Sequence, residues 1–143
     1  MIPRIAAPPP DSAAIARELE RAVHRWREID ERIAALTVLR LALDTRDNHP
    51  DAATITLTWT DQPGTPRLEV QTVYDHHCHE ITSALDDDHD AAGDLTESNQ
   101  HIWQPLLTHD PGFDTYRLDI ASAVAAAPVL APLTSNQPDP REL

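Results

Sequence analysis

The sequence predicts an α+β fold: one long N-terminal helix packed on a small antiparallel β-hairpin or meander, followed by one or two shorter C-terminal helices. Two observations carry this expectation. Between Ser12 and Asp44 apolar residues recur at alternating steps of four and three (Ile15, Leu19, Ala22, Trp26, Ile29, Ile33, Leu36, then Leu43), interrupted by Arg40. That is the spacing of one helix face. Between Thr54 and Tyr74 two runs alternate apolar with polar residues on either side of a Pro-Gly turn, the period of half-buried strands.

The helix has clear start and stop signals. Asp11 or Ser12 supplies a capping oxygen, and Asp47, Asn48 and Pro50 end the run. From Ser12 to Arg32 one face is apolar and the other mixes arginine with glutamate. Pairs four apart, Glu28 with Arg32 and Arg27 with Glu31, are each worth about 0.3 kcal/mol. From Ile33 to Leu43 the run is apolar nearly all round, which predicts burial on several sides. A helix of this length measures about 50 Å, whereas a compact domain of this size is roughly 35–40 Å across. The seam of Ile15, Leu19, Trp26, Ile29 and Ile33 therefore needs a cover. Its 4-3 spacing suits a coiled coil with another copy, or docking on a partner.

In the first strand, Thr54–Thr60, Ile55, Leu57 and Trp59 share one face and four threonines the other. Asp61–Pro66 is turn material, with Gly64 free to take positive φ. Arg67–Tyr74 returns with Leu68, Val70 and Tyr74 inward, pairing Trp59 with Leu68 and Leu57 with Val70. Two strands are not stable alone, so the helix should cover their apolar side. Ser98 opens a short helix carrying Ile102, Trp103, Leu106 and Leu107, made irregular by Pro105. After a turn at Asp110–Gly112, Asp114 caps a helix over residues 115–127, with Tyr116, Ile120 and Val124 on one side, and Pro128 stops it. A single domain is thus expected over residues 11–127, between a flexible proline-rich arm (1–10) and a disordered proline-rich tail (128–143).

Charge bounds the partners. The 143 residues include 24 acids and 11 basic residues, for a formal charge of −13. It is unevenly spread: residues 1–46 hold eight arginines and seven acids, a net of +1, and residues 47–143 hold the remaining −14. Phosphate attraction would be reversed, so neither nucleic acid nor anionic membrane is an expected partner. A basic protein, or another copy of this chain, is. No lysine occurs, which excludes Schiff-base and phosphate-loop lysine chemistry. Cys78 is single, so no internal disulfide forms. No apolar run approaches the ~20 residues that span a bilayer. The first ten residues lack the apolar centre of a signal peptide. A cytoplasmic location is expected.

Two stretches carry ligand-type side chains. Asp75-His76-His77-Cys78-His79-Glu80 groups donors that suit zinc, with His101 or His109 as further ligands. The letters Asp75-His76-His77-Cys78 resemble the signature of membrane S-acyltransferases, and the first three that of the Asp-His-His phosphoesterases. The transmembrane helices and cysteine-rich domain of the former, and the parallel α/β scaffold of the latter, have no counterpart here. Asp86–Glu97 resembles an EF-hand calcium loop, with Asp86, Asp88, Asp90, Asp94 and Glu97 at positions one, three, five, nine and twelve. It departs from that pattern at Ala91, where the turn needs glycine, and at Gly93. Calcium at 86–97 or zinc at 76–80, with hydrolytic use of either, is the alternative to an interaction module. The three glycines form no phosphate cradle or nucleophile elbow, and no residues are expected to be catalytic.

Overall fold

The computed structural model describes residues 11–60, 64, 66–84 and 91–130. The expected arm at 1–10 and the tail beyond residue 130 lie outside them. The chain divides into two compact units, Met1–Asp30 and Glu31–Leu143. The division falls within the long helix, not at a proline-rich linker.

Helix α1 runs unbroken over Ser12–Asn48. Asp11 caps it: its carboxylate accepts from the Ala14 N–H at 2.7 Å, and its carbonyl from the Ile15 N–H at 3.1 Å. In the first unit, the charged face carries an Arg21–Glu18 pair at 2.8 Å and a His24–Glu28 contact at 3.0 Å. Glu31 does not reach back along the helix as its spacing suggests. It meets His101 at 3.0 Å instead.

The second unit holds a four-stranded antiparallel sheet in the order β2-β1-β4-β3. The strands are β1 (Ala52–Trp59), β2 (Leu68–Asp75), β3 (Thr108–Asp110) and β4 (Thr115–Asp119). Between β2 and β3 lie a short helix, α2 (Gln100–Trp103), and a 3-10 turn (Gln104–Leu106) built on Pro105. Helices α3 (Ile120–Ala125) and α4 (Ala127–Leu130) follow β4.

The expected register of the hairpin is present: Trp59 opposes Leu68 and Leu57 opposes Val70. Strict alternation then fails. Thr56 opposes Thr72, so Gln71 is an extra residue, a β-bulge. Past the bulge the faces exchange. Val73 enters the core, and Tyr74, expected inside, turns to the outer face.

Residues 115–119 correct the expected 115–127 helix. They alternate, with Tyr116 and Leu118 buried and Arg117 exposed. That period-2 pattern fits the vacant edge of β1, where five residues pair. The helix begins only at Ile120. Its cap is Asp119, whose carboxylate accepts from the Ser122 N–H at 2.9 Å, not Asp114. Pro128 sits in the first turn of α4, where its missing N–H costs nothing.

One core joins the inner face of the sheet to α1. Ala34, Val38, Leu41 and Ala42 pack with Ile55, Leu57, Leu68, Val70, Val73, Tyr116 and Leu118. This face of α1 is offset from the seam: Ile33 remains exposed, while Ala34, one position on, is fully buried. Trp103 is a fully buried member of this core. It meets Trp59 and Tyr116 edge to face at centroid distances of 5.5 and 4.9 Å.

Candidate functional site

Two surfaces stand out, one in each unit. The first is the seam on α1. Ile15, Leu19, Trp26 and Ile29 are 53%, 62%, 58% and 60% exposed, and Val23 lies beside them, also exposed. Single exposed apolar residues need no explanation, but five on consecutive turns of one helix form a patch. Between Ser12 and Asp30 the sequence holds four arginines (17, 21, 25 and 27) and four acids (Glu18, Glu20, Glu28 and Asp30). The patch is therefore set in a stretch of zero formal charge. Ile33 continues the spacing in the second unit and is 40% exposed.

The second surface is the outer face of the sheet. Because β1 alternates, its three buried or half-buried apolar residues send Thr54, Thr56 and Thr58 to the opposite side. The ladder places Arg117 between Thr56 on β1 and Thr108 on β3, and Thr115 between Thr58 and Asp110. Gln71 at the bulge, and Tyr74, which the bulge turns outward, line the β2 side. Cys78 and the loop carrying Pro111 and Phe113 complete the wall of a groove of about 770 Å³. Phe113 is 80% exposed. That loop is fixed by Asp110, which accepts from the Gly112 N–H at 3.0 Å, and by a His109–Asp114 contact at 3.1 Å. Asp114 takes positive φ there.

The histidine cluster makes a turn. Asp75 ends β2, and one of its carboxylate oxygens accepts from the N–H groups of His77 and His79 at 2.8 and 2.9 Å. The Asp75 N–H donates to the His79 carbonyl, and the Cys78 N–H to the Asp75 carbonyl. Cys78 takes φ 61° at the tip. His76, His77, Cys78 and His79 are exposed, the two rings of His77 and His79 6.2 Å apart. Among the described residues no three His, Cys, Asp or Glu side chains converge to hold a metal ion. His101 and His109 engage Glu31 and Asp114 instead. Of the calcium-type loop, Asp86, Asp88 and Asp90 lie outside the described residues, and Asp94 and Glu97 are exposed.

The His79 N–H holds the Asp75 carboxyl below its ordinary value of 3.8. Partial dehydration opposes it, while the His77 N–H and the two imidazoles add to it. A carboxyl whose folded value is depressed stabilises the fold above the unfolded value, and this contribution fades as pH falls through the folded one. The amide resonances of His77 and His79 are accordingly expected to share one titration with a midpoint under 3.8, absent in Asp75→Asn. A midpoint at or above that value would count against this account of the turn.

The sequence announced the threonine face but not the groove, because Arg117 joins it only if residues 115–119 form a strand. Among the described residues no helix is long and apolar enough to cross a membrane. Comparison with family models, curated proteins and solved structures finds no match to this chain.

Proposed function

We propose that this protein is a non-enzymatic, acidic protein–protein interaction module. It self-associates through the seam on α1 and presents its acidic remainder to a basic partner surface. The observation that supports this reading is the exposure of Ile15, Leu19, Val23, Trp26 and Ile29 on successive turns of one helix.

A second copy is the occupant that charge and area favour. Withdrawing those five side chains from water hides roughly 500 Å² per copy, hence about 1,000 Å² for a pair, the size at which specific interfaces begin. With four charges of each sign, the segment neither repels its own copy nor attracts a strongly charged partner. A basic protein is drawn instead to residues 47–143, which hold the −14. The 4-3 spacing is that of a two-stranded seam, with Trp26 as its bulky centre.

Light scattering on a size-exclusion column, run over a hundredfold range of concentration, tests the reading. The expected mass is twice 15.9 kDa at the upper end. Leu19→Glu combined with Ile29→Glu is expected to weaken association at least ~100-fold, because each glutamate must be dehydrated at the seam. Far-ultraviolet circular dichroism of the double variant shows whether the fold is kept. A mass of 15.9 kDa throughout, for the unaltered chain, would remove the proposal.

A further inference from the structure

We infer that the groove on the outer face of the sheet is a binding site for a small monocarboxylate with an apolar or aromatic body. The inference is independent of the helix reading, since every residue of the groove belongs to the second unit.

Arg117 is the starting point. The chain has more than two acids for each basic residue, yet among the described residues no carboxylate pairs with this guanidinium. The cross-strand ladder flanks it with hydroxyls, Thr56 on one side and Thr108 on the other, with Thr58 and Thr115 in the adjacent row. A guanidinium donates two parallel N–H bonds that match a carboxylate, and threonine hydroxyls can donate to its remaining lone pairs. On a sheet the ladder fixes the backbone positions of these residues before a ligand arrives, which lowers the ordering cost of binding.

Charge sets the valence of the ligand. Among the described residues that line the groove, Arg117 is the one arginine and Asp110 the one carboxylate. One guanidinium against one carboxylate, in a protein of net −13, favours a monoanion over a phosphate dianion. The rest of the wall sets the body. Tyr74, Pro111 and Phe113 offer apolar surface, and Phe113 has most of its ring free. About 770 Å³ lies within the range of small-molecule sites.

The test is a titration of the full chain with 3-phenylpropionate, read by amide nitrogen–proton shifts. Its neutral counterpart 3-phenylpropanol and phenyl phosphate are run in parallel. The expected result is saturable shifts at Thr56, Thr108, Thr115 and Arg117, half-complete in the low millimolar range or below. Arg117→Gln is expected to weaken binding at least ~10-fold, and Phe113→Ala about threefold. Both side chains are exposed, and the amide spectrum of each variant reports whether its fold is intact. No saturable shift by about 20 mM overturns the inference. So does equal binding of the alcohol, tighter binding of phenyl phosphate, or an unchanged affinity in folded Arg117→Gln.

Discussion

Replacing Trp103 by alanine is expected to destabilise the protein by about 3–5 kcal/mol. The side chain is fully buried. Its ring fills the angle between Trp59 and Tyr116, with edge-to-face contacts to both, and its indole N–H donates to the Thr96 carbonyl at 2.9 Å. Alanine removes the apolar burial, opens a cavity among side chains held by the sheet, and strands that carbonyl. Against the 5–15 kcal/mol that holds ordinary domains together, the loss is a large part of the whole. Trp103→Phe separates the contributions. It refills most of the volume but cannot serve Thr96, so its cost should be smaller. Urea denaturation followed by circular dichroism measures both. A loss under about 1 kcal/mol for the alanine variant would show that this ring contributes little to the core.

Asn99→Ala is the second large effect, about 2–3 kcal/mol. Asn99 is fully buried. Its side-chain oxygen accepts from the Thr96 N–H at 2.9 Å, and its amide nitrogen donates to the Asp94 carbonyl at 2.9 Å. Its own carbonyl accepts from the N–H groups of Ile102 and Trp103. One residue thus ties the loop before α2 to the helix that delivers Trp103. Alanine leaves the half-buried Thr96 N–H and the Asp94 carbonyl without these partners and empties the fully buried space of the amide, which together cost more than the net worth of the bonds. Asn99→Asp should fare no better, since it loses the donor and buries a charge. Because Thr96 also serves the Trp103 indole, the alanine changes at 99 and 103 are expected to combine less than additively. Strict additivity in the double variant would mean that the two side chains act separately.

Neither network could be read from the sequence. Asn99 carries no local signal that sets it apart from its polar neighbours, and Trp103 reads as one apolar position on a short irregular helix. Their roles depend on which carbonyls the fold brings near, and no local pattern encodes that. The hairpin was legible because its side-chain period and turn composition are local, and its register followed down to Leu57 and Val70. It became illegible at Gln71, where one extra residue inverts the faces without altering composition. Strand β4 was misread as helix because five residues are too few to establish a period next to an alanine-rich run. The sheet decides it, since β1 needs a partner along the edge that β2 leaves open. The same misreading hid Arg117. The helical spacing of Ile15, Leu19, Trp26 and Ile29 was legible because it is local, and these four side chains are exposed in the first unit.

The two outer margins of the sheet bear on how this protein behaves when concentrated. Beside β2, isolated bridges join Arg67 to Thr96 and Tyr74 to Glu80, while the Leu68 N–H goes to the Leu95 carbonyl and the Val73 carbonyl takes the Ile81 N–H. On the other margin β3 is three residues long and runs into Pro111, which has no N–H to offer. An incoming extended segment finds little backbone to template on at either place, so fibrillar stacking by strand addition is disfavoured.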